Sequence, residues 1–480
     1  MLEKTEIFFT ENSHEDLSQH ESPEANIKYQ FYDFFGTLFK SGYMSNLNKK
    51  KQIFIDVVIS IIFSLQLNSF CWYSNMSITN WSSYKFFWEC LGYFNIENLC
   101  EFFDIFDVCF YGVFAYVSYV IFIILSLGIL KIYWKFTPEY IVLVSQKFIF
   151  PLAYFTFIPI LTILVVGFKY LTNTQTKQAK YDTNSNLKSI SIGIYGAIFC
   201  IIYIAFFFIF AISYEMLTAE LRHSSSKRNI KAKSNSELDI LLIIFYGLIC
   251  ILYYCFDEST VLYLQCFQAI FSSIFTYLFI KNMPYYNTYA NSIQACGLCS
   301  LSVTSLSFFF AEFINDTSIT IIFFLFLQPI LMTLAIRRIK LNQIKIQNYS
   351  FNNQSEFELK IRNLLINYED SNKDLIFEMF SKFSNDNNIK KSDLYVIWET
   401  NFCLYTLNDI RLARVKLLKI KNLYSTIEGG VQKWKIDKKI KNENLSDMRY
   451  KSFRFCRKYY QPLYLSYKQI QKYWGFWFLQ

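Results

Sequence analysis

The sequence predicts an all-α protein, a polytopic transmembrane helical bundle of about eight spans followed by a cytosolic α-helical repeat domain. Three observations carry that expectation. Hydrophobic residues make up 53% of the 480 residues, aromatic residues 20%, and the mean hydropathy is +0.21. The apolar residues are bunched into runs near the ~20 residues a helix needs to cross a bilayer. Lys and Arg gather in alternate connections between these runs, and beyond Arg337 the runs give way to amphipathic segments in a basic background. The 52 Phe and 36 Tyr do not by themselves mark an aromatic binding surface. An AT-rich genome raises Phe, Tyr, Ile, Asn and Lys together.

Residues 1–48 form a polar N-terminal tail, and no apolar run ahead of a small-residue cleavage site occurs in residues 1–30. Targeting is therefore assigned to the first span. The membrane domain covers residues 49–336, with spans expected at 53–73, 106–130, 148–168, 190–213, 239–255, 261–280, 293–313 and 318–336. Only FDEST joins the fifth to the sixth, which requires a tight helical hairpin. Residues 337–355 form a basic linker and residues 356–480 the helical-repeat domain.

With the N-terminus inside, the inside connections hold 16 Lys and Arg and the outside ones five. Cytoplasmic loops carry such an excess, so an even number of spans with both ends in the cytosol is expected. The loop after the third span, with Lys169, Lys177, Lys180 and Lys188, dissents. Sequons at Asn75 and Asn80 fall in the first outside loop and are candidate glycosylation sites. Chance sequons at Asn348, Asn353 and Asn444 weaken that inference. Cys71, Cys90 and Cys100 lie at or in the same loop, and Cys90 with Cys100 is the preferred of three pairings for a disulfide.

From Arg337 onward 27 Lys and Arg stand against 14 Asp and Glu, whereas the rest of the chain carries 20 against 24. The segment reads as helices of similar length. Phe357, Ile361, Leu364 and Leu365 share one helical face, after a capping-box start at Ser355 and Glu358. Ile376, Met379, Phe380 and Phe383 form a second stripe, and Leu394, Ile397, Trp398, Phe402 and Tyr405 a third. Ala413, Leu417, Ile420 and Tyr424 form the fourth. Starts near 356, 373, 392 and 409 repeat pairwise every 36 residues, the pitch of a tetratricopeptide-like solenoid; an irregular helical bundle is the alternative. The fourth helix carries a second stripe, Leu412, Val415 and Leu418, with Arg411, Arg414, Lys416, Lys419 and Lys421 between the two. These five are candidate residues for binding a cytosolic protein partner or anionic lipid headgroups. Ser392 to Leu423 is not a ninth span, because no uncharged 18-residue window lies within it.

The runs FSKFSNDNNIKKSDLYVIWETNF, DIRLARVKLLKIKNL and STIEGGVQKWKIDKKI resemble the helical-repeat region of the tiny macrocysts family, multi-pass membrane proteins of ciliates and social amoebae. IFIDVVISIIFSLQLNSF and YKFFWECLGYFNIENLC are similar to that family's N-terminal membrane region. The resemblance implies a membrane-anchored protein of signalling character, in which the repeats are usually followed by a PAS-type sensor domain and further spans. This chain stops at YWGFWFLQ, so a short paralogue or a truncated gene model is expected, and the sensor chemistry does not carry over.

Motifs for catalysis are lacking. The three His are scattered at 14, 20 and 223, and the sequence contains no HExxH, Walker A loop, GxGxxG or GxSxG. No enzyme activity, cofactor, metal or nucleic-acid partner is expected. The CxxC of Cys296 and Cys299 offers two ligands where zinc wants four, and small residues for close helix packing explain it better. Asp56 and Gln66, with Gln268 and Gln328, are intramembrane polar groups that need partners. Asp56 reads as a structural hydrogen bond rather than an ion site. The functional expectation is a non-enzymatic signalling or scaffold protein; the alternative is an ion channel or transporter with a regulatory tail.

Overall fold

The computed structural model describes residues 34–36, 38–39, 49–74, 94–134, 138–172, 190–218, 232–234, 236–255, 260–314, 318–348, 354–366, 372–385, 393–418 and 434–440. All long elements among them are helices, and the chain forms two compact units, Gln30–Lys391 and Ser392–Gln480 with Met1–Tyr29.

In the larger unit each of the eight expected spans is helical. α1 is Lys49–Ser74, α2 Ile96–Phe102, α3 Phe106–Trp134, α4 Glu139–Val144, α5 Phe150–Phe155, α6 Phe157–Thr172 and α7 Ile190–Thr218. α8 is Glu237–Cys255, α9 Val261–Asn282, α10 Thr288–Ile314, α11 Ser318–Ile322 and α12 Gln328–Asn348, followed by α13 Gln354–Ile366 and α14 Asn372–Asn385. Among the described residues six helical stretches are long and apolar enough to cross a membrane, or seven if the bent pair Tyr140–Phe155 and Phe157–Thr172 counts as one. The apolar run in α1 is the shorter Ile53–Ser69.

Hydropathy cannot register the 58° bend in the third span. Proline explains where it falls, because it donates no N–H and its ring collides with the carbonyl four residues back. Before Pro151 the chain widens into a π-helical turn, Ser145–Ile149, in which the Phe150 N–H donates to Ser145 O. At Thr156 the backbone leaves helical geometry altogether (ψ 18°), three residues before Pro159. The last span repeats the first device. Phe323–Leu327 is π-helical ahead of Pro329, and the Gln328 N–H donates to Phe323 O.

Large apolar side chains face outward along the spans, as on α3 at Phe122, Leu125 and Ile129, and on α7 at Ile198, Ile202 and Ile209. A helical stripe of this kind suits lipid rather than water. Inside, small residues let helices close up. A Cβ on Gly297 would lie 2.8 Å from Ser64 Oγ, and a Cβ on Gly167 would overlap the Phe110 ring. Polar side chains pair across helices, Gln328 Nε2 donating to Ser300 Oγ at 2.6 Å and Ser273 meeting Ser302 at 2.5 Å.

α13 and α14 pack through the expected stripes. Phe357, Ile361, Ile376, Phe380 and Phe383 are buried, with the Phe357 and Phe383 rings stacked 4.2 Å apart. In the smaller unit α15 is Asp393–Tyr405 and α16 Ile410–Leu418, and residues 434–440 are helical. Asp409 caps α16 by accepting from the Leu412 N–H at 2.9 Å. Ile397, Trp398, Phe402 and Ala413 are buried as their spacing requires, together with Trp434 and Ile436.

Candidate functional site

Four helix ends and two connections meet at the Lys- and Arg-rich end of the larger unit. The segment before α8 and the turn between α9 and α10 run antiparallel for two residues, bridged at Lys233 and Tyr285. The Ser234 N–H donates to Pro284 O and the Tyr286 N–H to Ala232 O, each at 2.9 Å. This clamp pulls Lys233 beneath the helix ends, where it is 1% exposed.

An ammonium cannot be buried there without counter-charges. Lys233 Nζ donates to Glu215 near the end of α7, and to Asp239 Oδ2 in the first turn of α8 at 2.6 Å. Each carboxylate spends its other oxygen on a tyrosine. Tyr154 donates to Glu215 Oε2 and Tyr285 to Asp239 Oδ1, both at 2.6 Å. Burial alone opposes charge on Lys233, yet Asp239 and Glu215 together hold its ammonium above the ordinary lysine range. Burial first, then the Asp239 and Glu215 charges, push the Tyr285 hydroxyl well up, so it remains a donor. The network thus ties α5, α7, α8 and the α9–α10 turn together with one cation and two carboxylates. Its aromatic wall is Tyr214, 5.0 Å from the Tyr154 ring, backed by Phe210 and Phe39.

A second buried pair enters from α13. Both Glu358 oxygens accept from Arg362, Nε to Oε1 at 3.2 Å and Nη2 to Oε2 at 2.5 Å, a forked pair one helical turn apart. Arg362 is 4% exposed. Its Nη1 donates to Met283 O and, at 3.1 Å, to Tyr285 O, and its guanidinium lies 5.2 Å from the centre of the Tyr286 ring. The turn it grips is strained. Met283 closes α9 with φ 42°, a left-handed conformation that favours glycine. Asn291 braces the same turn, accepting from the Tyr285 N–H at 3.0 Å and donating to Tyr285 O at 2.7 Å. Tyr285 therefore belongs to both halves: its carbonyl receives Arg362 and its hydroxyl reaches Asp239.

None of these residues was singled out as a site by sequence. Glu215 falls just past the apolar run that ends at 213, Lys233 sits in a polar connection, and Glu358 reads as part of a capping box. One signal was available. Asp239 is the first residue of the expected fifth span, an acid at the edge of an apolar run.

The sequence-derived candidates do not converge. Gln66 lies on α1 with its side-chain oxygen buried and without a hydrogen-bond partner, and Asp56 lies on the same helix. Asn75, Asn80 and Cys90 lie outside the described residues. Cys100 is a buried free thiol on α2, pushed up to about 12 by burial and by its neighbour Cys109. Arg411 is exposed on α16, whereas Lys416 turns inward to Glu399 Oε1 at 2.5 Å. Arg414 is helical, and Lys419 and Lys421 lie outside the described residues. Cys296 Sγ donates to Met332 O at 3.8 Å between α10 and α12, and no group of metal-ligating side chains occurs among the described residues. No family model, curated protein or solved structure matches this chain.

Proposed function

We propose that this chain is a non-enzymatic multi-span membrane protein of signalling or scaffold character, whose bundle passes its conformation to helices outside the membrane. The observation that carries the reading is Arg362. A side chain from a helix beyond the last span is buried against the α9–α10 turn, and that turn joins the Lys233 network binding four elements of the bundle. Rearranging the spans would displace the acceptors of Arg362, and moving α13 would strain the turn. Buried ionic groups suit such a coupling, because they hold one arrangement and penalise intermediate ones.

The charge count supports placing this end in the cytosol with both termini. Helices start at Gln354, Asn372, Asp393 and Ile410, close to the starts expected of a tetratricopeptide-like region, and in that reading the region would meet a partner protein or anionic headgroups. Kinship with the tiny macrocysts family is part of this proposal, on the strength of the runs DIRLARVKLLKIKNL and STIEGGVQKWKIDKKI. The test is hydrogen exchange of the protein in nanodiscs. Asp239→Asn, a change within the bundle, should raise exchange across 354–366. Unchanged exchange there would defeat the coupling.

A conduit is the second reading, and Gln265 favours it. This residue is fully buried on α9 with neither amide atom hydrogen-bonded. Such a group is expected to meet water or an ion. Selective ion flux in liposomes, abolished by Gln265→Leu, would establish the conduit, and flux no greater than in empty liposomes would remove it.

A further inference from the structure

A groove of about 600 Å³ opens between α9, α10 and α12, and none of its lining residues belongs to the ionic network. That volume is in the range of pockets that enclose a ligand. Its walls are apolar, with Ile280, Val303, Leu331 and Leu334 among them. The serine and threonine hydroxyls in the wall are satisfied internally, Thr276 by Ser272 O at 2.7 Å. Ser273 meets Ser302, which also reaches Ala269 O at 3.2 Å, so they offer little to a polar guest. The wall also carries charge. Arg337 and Arg338 line it, both exposed, and the ion pairs among the described residues involve neither. Lys281 adds a third cation, 5.9 Å from the ring of Tyr277, itself in the lining.

We propose that this groove binds an anionic phospholipid, its acyl chain along the apolar wall and its phosphate between Arg337 and Arg338. Charge complementarity selects the occupant. An apolar guest would leave two guanidinium groups unused, and a free phosphate would leave the apolar channel unfilled. Arginine forks match phosphate oxygens, and basic pockets between spans are suited to anionic headgroups. The site is independent of the proposed coupling, since none of its residues belongs to the Lys233 or Arg362 clusters.

The test uses the full chain, delipidated in detergent, with native mass spectrometry and thermal unfolding as readouts. Phosphatidylserine should give a retained one-lipid adduct and a concentration-dependent rise in Tm that phosphatidylcholine does not match. The double variant R337Q/R338Q should weaken phosphatidylserine binding by about tenfold or more. Leu334→Trp, which fills the groove and leaves both charges, should weaken it too. Equal binding of the two lipids by the wild type overturns the proposal without any variant. So does undiminished binding by R337Q/R338Q, or an equal Tm rise from glycerol phosphate, which has no acyl chain.

Discussion

Lys233→Met isolates the energetic role of the buried network. Methionine keeps an unbranched apolar stem but removes the ammonium that both Glu215 and Asp239 face. Those carboxylates lie at 15% and 8% side-chain exposure, so solvent cannot replace the lost cation. Removing one partner of a buried pair costs about 3–5 kcal/mol. Two features hold the expected loss near the lower end, about 3 kcal/mol. Tyr154 and Tyr285 still donate to the carboxylates, and one acid can take up a proton. Unfolding in mixed dodecyl maltoside and SDS micelles, followed by tryptophan fluorescence, reads the loss. The triple variant K233M/E215Q/D239N removes every charge and should recover to within about 1 kcal/mol of wild type, because a well-packed neutral cluster often matches a buried ion pair. A single variant within about 0.5 kcal/mol of wild type, or a triple variant no better than the single, would refute the reasoning.

Arg362→Ala removes the guanidinium but leaves Glu358 buried, so α13 should lose protection in hydrogen exchange while α14 changes less; equal protection in variant and wild type would contradict the docking. The Lys233 pKa is higher folded than unfolded, so its contribution is complete below the ordinary lysine value of 10.5 and is lost as pH rises through the higher folded value. The Tm difference between wild type and Lys233→Met should accordingly stay level from neutral pH to about 10 and shrink only above it, and a difference that vanished at pH 8 would contradict this. Gly167→Ala, whose Cβ would overlap the Phe110 ring, should destabilise by about 1–3 kcal/mol. Gly112→Ala, with nothing within 4 Å of its Cβ, should be neutral or stabilising by up to about 1 kcal/mol, as thermal unfolding of both would show.

Helix positions were legible because hydrophobic length and period are local properties. Phe357, Ile376, Phe380, Phe383, Ile397 and Trp398 are buried where their spacing places them. The bend at Thr156 was less legible. Pro151 and Pro159 announce a disturbance in the third span, but a straight hydropathy window treats them as two ordinary residues. The ionic network was hidden for a different reason. Lys233 is 18 residues from Glu215, and Tyr285 is 46 from Asp239, so only the clamp between two connections brings them together. Lys416 shows the same limit on a smaller scale. Its place in a basic run suggests a solvated face, whereas its ammonium is paired with Glu399 across two helices. Charge counts report composition, and they are silent about which charges turn inward.

The central claim is that α13 and the bundle share one energetic unit through Tyr285. A double-mutant cycle between Asp239→Asn and Arg362→Ala, measured as unfolding free energies, tests it directly. The coupling account predicts an interaction energy above about 0.5 kcal/mol, since both residues act on the same tyrosine. Effects that simply add within about 0.3 kcal/mol would show that Arg362 and the Lys233 network are neighbours without communication.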